Sequence, residues 1–277
     1  MTGSALRAAV REGFLPFVGI YDAFSAAVAG RHAEHLFLSG FGFAASQYGL
    51  PDVGFVAWAE MVAFAERVRA ILPGHAILVD IDDGYGDPDI VAHVIGRLEA
   101  AGATGVVLED QRRPRRCGHL DGRQVLPLEE YLPKLERALE QRRDLFVIAR
   151  TDASGEDEIA RRLDAFAAAG ADAVLADGLK DASLIKDLRQ RTGVPVAFNQ
   201  IAGGKSPAWT ARELAEAGVS IGIYSTPCLF AAQSAIDTAV RSLLGPEGRL
   251  STTGPGAIGL ADCTAVLNAN LSRADRR

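Results

Sequence analysis

The stretch AILVDIDDGYGDPDIVAHVIGRLEAAGATGVVLEDQ, residues 76–111, decides how the fold is read. It opens on a five-residue apolar run, AILVD (76–80), which is short for a helix and ends in an acid. A polar, glycine-rich turn follows. Asp87 and Pro88 then start a segment, 88–101, with apolar residues at helical spacing. Ala101-Gly102-Ala103 closes it, where glycine suits the left-handed residue that ends a helix. GVVLE (105–109) is a second run like the first. Both are apolar throughout rather than alternating, as parallel strands buried on two faces must be.

The same unit recurs outward along the chain. PFVGI (16–20), HLFLS (35–39), LFVIA (145–149), AVLAD (173–177), VPVAF (194–198) and SIGIY (220–224) complete eight expected strands. Amphipathic segments lie between them, at 58–71, 128–142, 156–169 and 182–191, with further Ala-Gly turns at 169–171 and 217–219. Eight strands alternating with helices favour an α/β chain closed into a (β/α)8 TIM-type barrel over an open doubly wound sheet. A Gly/Pro/Ser/Thr-rich break at 245–259 divides the barrel, 1–244, from a tail, 245–277, in which 260–271 has a helical pattern. That tail is either frayed or a helix packing on a neighbouring subunit.

Composition excludes several functions. The 277 residues hold 35 Asp and Glu against 29 Lys and Arg, a net charge of −6, which is not the basic footprint of a nucleic-acid binder. No apolar run reaches the 18 or so residues of a membrane span, and the start lacks a secretory h-region. Cys117, Cys228 and Cys263 are too few and too scattered for a disulfide framework, so a reducing cytoplasm is the simplest compartment. His32, His35, His75, Trp58 and Trp209 read as structural, Cys228 as a packed thiol.

Barrel enzymes place reactive groups at the carboxyl ends of strands. Here those ends read Asp80-Ile81-Asp82, Glu109-Asp110-Gln111, Arg150-Thr151-Asp152, Asp177 and Asn199-Gln200. A lone Asp there is often only a helix cap. Asp80 and Asp82, two apart, face one way on an extended chain, and with Glu109 they form an oxygen-rich cluster suited to Mg²⁺ or Mn²⁺. Just beyond lies QRRPRRCGHLDG (111–122). Its four arginines are expected to lower the Cys117 thiol toward thiolate, and Gly118 and Gly122 to let the loop move.

DIDDGYGDP (80–88), LEDQ (108–111), RRCGHLDG (115–122) and IARTDA (148–153), in this order, resemble the isocitrate lyase/phosphoenolpyruvate mutase superfamily. YDAFSA (21–26), SGFGFAASQYGLPD (39–52) and GGKSP (203–207) extend the likeness over most of 21–244. The nearest likeness is to 2-methylisocitrate lyase, dimethylmalate lyase and carboxyphosphonoenolpyruvate mutase. The resemblance implies a Mg²⁺-dependent barrel with a swapped C-terminal helix, in a homotetramer built as a dimer of dimers. It implies Asp82 as direct metal ligand, with Asp80 and Glu109 acting through water. It places Ser39, Gly40 and Arg150 at a small carboxylate substrate, Asp52 as an ordering residue, and Cys117, Gly118 and His119 on a gating loop.

Other residues depart from the lyases. Arg115 stands where Lys is usual, Asp177 where Glu is usual, and Ala202 replaces a Glu after Asn199; Arg115, Asp177 and Asn199 remain candidates for substrate binding. Phe41 and Phe43 add apolar bulk beside Ser39 and Gly40, pointing to a smaller or less polar substrate than methylisocitrate. The leading expectation is a carbon–carbon lyase acting on a small 2-hydroxy di- or tricarboxylate. A phosphonomutase, an oxaloacetate decarboxylase or hydrolase, a non-catalytic acid-binding barrel and an unrelated barrel aldolase stand as alternatives.

Overall fold

The computed structural model describes the chain apart from residues 182, 247, 249–257 and 275–277. The strands are β1 (Leu15–Ile20), β2 (His35–Leu38), β3 (Ala76–Asp80), β4 (Gly105–Glu109), β5 (Phe146–Thr151), β6 (Ala173–Ala176), β7 (Val196–Asn199) and β8 (Ile221–Tyr224). Each pairs in parallel with its sequence neighbour, and β8 returns to β1 to close the barrel. The described helices are α1 (Gly3–Glu12), α2 (Ala23–Ala29), α3 (Gly40–Phe43), α4 (Trp58–Ile71), α5 (Pro88–Ala100), α6 (Leu128–Gln141), α7 (Glu156–Ala169), α8 (Ser183–Thr192), α9 (Ala211–Glu216), α10 (Pro227–Leu243) and α11 (Leu260–Ala274).

The strands follow the expected pattern with small shifts. Pairing in β7 starts after Pro195, which has no N–H to give. β5 runs on to Thr151, so Arg150 belongs to the strand itself. The expected start of α8 at residue 182, and most of the break at 245–259, lie outside the described residues.

Strand side chains alternate between two cores, as a period of two demands. Phe37, Leu78, Val107, Ile148, Leu175 and Ile223 fill the bore, and Leu6 and Val10 of α1 close its floor. Leu38, Val79, Leu108, Val147, Val174 and Phe198 face outward against the helices. Each such side chain, once buried, contributes about 1.5–3 kcal/mol of transfer free energy.

Carried one step beyond the apolar filling, the inward parity reaches Ser39, Asp80, Glu109, Arg150, Asp177, Asn199 and Ser225. The barrel's own register therefore delivers polar groups to its carboxyl rim.

The C-terminal helix α11 lies against α2 and α4 of its own chain. By contrast, α10 buries none of its residues, and Ile236 and Leu243 are 63% and 45% exposed. No described helix is long and apolar enough to cross a membrane.

Candidate active site

On the β3–β4 side of the rim the acids are buried. Asp80, Asp82 and Glu109 are all under a tenth exposed. The chain is not extended through Asp82: β3 stops at Asp80, and Asp82 turns at φ +49°, a left-handed conformation that Asp tolerates better than most residues. The turn, not strand alternation, brings Asp82 beside Asp80. Both flank Gly40, where a Cβ would stand 3.1 Å from Asp80 Oδ2 and 3.3 Å from Asp82 Oδ1.

Among the described residues, no three His, Cys, Asp or Glu side chains close into a group able to hold a metal ion. Arg115 instead joins the acids. Its Nε donates to Glu109 Oε1 at 2.9 Å, its Nη2 stands 3.2 Å from Asp82 Oδ1, and its Nη1 donates to Asp52. Arg115 is 1% exposed. Burial pushes the Glu109 carboxyl up to about 8 and raises Asp80 and Asp82, despite Arg115. Asp82 Oδ1 and Glu109 Oε2 are buried with no hydrogen-bond partner.

The β5–β8 side is built around Arg150. Asp152 accepts from its Nε and Nη2, both at 3.0 Å, which fixes the plane of the guanidinium. Nη2 also stands 2.7 Å from Asp177 Oδ2 and 3.4 Å from Glu109 Oε2, linking the two halves of the rim. Asn199 Nδ2 donates to Asp177 Oδ1 at 2.9 Å. Burial alone would push the Asp177 carboxyl up; Arg150, with His119 and Asn199, outweighs it and holds the group well below the usual carboxylate range.

The loop reaches this cluster directly. A Cβ at Gly118 would collide with Asp177 Oδ2, Arg150 Nη2 and Asp152 Oδ1, so only glycine permits the approach. The Lys205 amide donates to His119 Nδ1 at 3.0 Å. A neutral His119 ring therefore carries its proton on Nε2, 3.4 Å from Asp177 Oδ1.

Cys117 corrects an expectation. It is buried, and burial pushes its thiol up to about 12, away from thiolate. The loop arginines are engaged elsewhere: Arg113 clamps Asp83 at 2.7 and 2.8 Å, and Arg115 faces the acids. Gln111 holds the loop by exchanging hydrogen bonds with the Arg116 backbone at 2.7 and 2.9 Å. Phe43 also differs from expectation. It packs in the outer core against Phe64, ring centres 5.5 Å apart, while Phe41 meets Phe230 edge-on at 6.3 Å. Ser39 caps α3 by accepting from the Gly42 amide at 3.0 Å. His35, His75 and Trp209 have packing or backbone partners, as structural residues would.

Sequence reasoning noted Asp152 at the end of its strand without giving it a role, and passed over Ser225. Ser225 donates to Asn199 Oδ1 at 2.6 Å. The inward parity of β5 and β8 is the signal that finds both.

A profile of the phosphoenolpyruvate phosphomutase family matches residues 6–244. The chain belongs to that family. Petal death protein of Dianthus caryophyllus is 38% identical over 225 residues, 79% of this chain and 70% of that protein. The chloroplastic carboxyvinyl-carboxyphosphonate phosphorylmutase of Arabidopsis thaliana is 34% identical over 84% of this chain and 71% of its own length. The 2,3-dimethylmalate lyase of Eubacterium barkeri is 34% identical over 79% and 77%.

Solved structures of the family superpose closely. A 2,3-dimethylmalate lyase gives a TM-score of 0.91 at 30% identity, covering 98% of this chain and 93% of that one. An oxaloacetate acetylhydrolase bound to 3,3-difluorooxalacetate gives 0.91 at 29%, covering 99% and 95%. A phosphonopyruvate hydrolase with oxalate and Mg²⁺ gives 0.84 at 25%, covering 99% and 98%. The protein is thus an enzyme of the phosphoenolpyruvate mutase/isocitrate lyase superfamily, whose members here are lyases, phosphomutases and hydrolases.

Proposed function

We propose that the enzyme is a carbon–carbon lyase that cleaves a small 2-hydroxy di- or tricarboxylate and releases a 2-oxo acid. The observation that carries this reading is the pairing of a rigid guanidinium with a protonated thiol. Arg150 is locked by Asp152, and Cys117 sits on the loop that touches it through Gly118. The 2-hydroxyl first gives its proton to a rim carboxylate, so charge develops on that oxygen, and as the carbon–carbon bond breaks the oxygen becomes the 2-oxo group and the electron pair passes to the leaving carbon. Arg150 offsets that charge in a site closed to water. The carbon that keeps the electron pair takes a proton from Cys117, a role for which a thiol, not a thiolate, is required. Gly118 lets the loop close against Arg150, which excludes water.

The acid cluster fits a divalent cation, Mg²⁺ or Mn²⁺. Asp82 Oδ1 and Glu109 Oε2 are buried oxygens that form no hydrogen bond, each with a guanidinium nitrogen near at 3.2 and 3.4 Å, a hard-oxygen set of the kind Mg²⁺ takes. Asp82 would hold the ion directly, with Asp80 and Glu109 through water, so the three need not close tightly around it. Bound there, a divalent ion supplies Lewis-acid stabilisation of an oxyanion. Ser39, Gly40, Asp52, Arg115, Asp177 and Asn199 would bind or order the substrate, and His119 would steady the loop end.

The test is a panel of alkylmalates and methylisocitrates incubated with Mg²⁺ while 2-oxo acid release is followed. Cys117→Ala should abolish turnover and leave Mg²⁺ binding intact. Silence across the panel with the wild type would overturn the lyase reading. A second reading, hydrolysis or decarboxylation of oxaloacetate, is favoured by the close superposition on an oxaloacetate acetylhydrolase, and acetate or carbon dioxide release would reveal it. Phosphonomutase chemistry would show as a phosphorus–carbon signal in phosphorus NMR.

In this reading residues 1–244 form the catalytic barrel of a cytoplasmic enzyme, and 245–277 would serve assembly by carrying α11, which here lies on α2 and α4 of its own chain, onto the same helices of a neighbouring subunit. The uncovered apolar side of α10 supports a homotetramer. Light scattering that gives the mass of a monomer would contradict it.

A further inference from the structure

Two hydrogen bonds and one ion pair join four polar side chains across the rim. Ser225 Oγ lies 2.6 Å from Asn199 Oδ1, Asn199 Nδ2 2.9 Å from Asp177 Oδ1, and Asp177 Oδ2 2.7 Å from Arg150 Nη2. Each residue is under a tenth exposed, so water cannot substitute for a missing partner. The direction follows from chemistry. An ionised Asp177 can only accept, so Asn199 must present its NH₂ to it. Asn199 Oδ1 then faces Ser225, whose hydroxyl must donate. Among the described residues, Ser225 is the side chain that donates to that oxygen.

We infer that Ser225 is a positioning residue: it holds the Asn199 amide, and through Asp177 it supports the second anchor of Arg150, whose plane Asp152 fixes. Ser225 need not touch the reacting atoms. If the amide turned over, its oxygen would oppose the Asp177 carboxylate and push it off Arg150, and the same oxygen would face the His119 Nε2, 3.4 Å from the present amide nitrogen, so the ring would change its partner. Arg150 would keep its clamp to Asp152 and lose its second anchor. This role deepens the proposed lyase reading, yet the wiring itself holds for any chemistry that uses Arg150.

The test compares Ser225→Ala and Ser225→Thr with the wild type in three ways. The first needs no ligand: the ¹⁵N signals of the His119 ring, identified against His119→Gln, should move in S225A and return in S225T. The second is calorimetric binding of oxalate with Mg²⁺ as pH falls. S225A should bind about tenfold more weakly, the loss of one buried hydrogen bond. Its acid limb should shift to higher pH, because Asp177 then protonates more readily; S225T should restore both. The third is kcat on whichever substrate the panel identifies, expected to fall more than KM rises.

Unmoved His119 signals in a folded S225A, or an S225T that behaves as S225A, would overturn the inference. A wild type that turns over nothing in the panel, with His119 still sensitive to the serine, would sink the lyase reading alone.

Discussion

The barrel's half-buried floor and its buried rim handle ion pairs in opposite ways. At the floor, Arg7 Nε donates to Asp172 Oδ1 at 2.7 Å, Arg142 bonds Asp172 Oδ2, and the Val147 amide donates to that same oxygen at 2.8 Å. Arg7 also closes onto Asp144 and the Leu145 carbonyl. Both Asp172 oxygens are matched there. At the rim, Asp82 Oδ1 and Glu109 Oε2 face guanidinium nitrogens at 3.2 and 3.4 Å without forming a hydrogen bond, and burial holds their carboxyls above the ordinary range. A cluster selected for stability satisfies its members. One that leaves them wanting is kept for what it binds. Four measurements probe that contrast, from the largest expected effect down.

Alkylation of Cys117 should be about a thousandfold slower at pH 8 than that of a free thiol, since a thiol near 12 exposes little thiolate. Site-resolved mass spectrometry checks this, and fast labelling would mean that the rim leaves Cys117 open. Next, Arg150→Lys should lower kcat by about a hundredfold, because Lys keeps charge and loses the two-point clamp on Asp152. A change within twofold would show that the clamp has no catalytic use.

The third measurement concerns pH. The Glu109 carboxyl titrates near 8 in the folded chain and near 4.5 unfolded, so the folded state binds the extra proton between them. That contribution is complete below about 4.5 and is lost as pH rises through 8. Metal-free wild type should therefore lose a few kcal/mol across that window by urea titration, and Glu109→Gln should flatten the slope. An identical slope in the variant would remove the strain ascribed to the rim. Last, Arg7→Ala should cost about 1–3 kcal/mol of stability with kcat unchanged within twofold, as expected of a floor built only to hold.

Most of the barrel was legible in the sequence because continuous apolar runs have one stable home, a parallel sheet covered on both sides. β3 and β4 follow their expected bounds, while β5 and β7 shift by one or two residues where pairing, not hydrophobicity, decides. The candidate site was legible where strand parity or a motif pointed, as at Asp80, Glu109 and Arg150. It was less so where side chains choose among partners. Nothing in RRPRRCGH says that Arg115 folds inward to Asp52 while Cys117 is sealed from the arginines beside it. Asp82 depends on a left-handed turn that Asp-Ile-Asp-Asp-Gly does not announce. Ser225 was missed because a lone serine after a strand looks like an ordinary turn residue.

The two-residue alternation that separates bore from mantle also constrains how this enzyme can change. One residue inserted into β6 would send Asp177 outward among the helices and swing Ala176 over the mouth. Substitution at alternate positions can retune the chemistry one tooth at a time, whereas a slip of register strips the whole gear. New specificities in such a scaffold should therefore arise by exchange of rim side chains and lengthening of loops, with strand lengths left untouched.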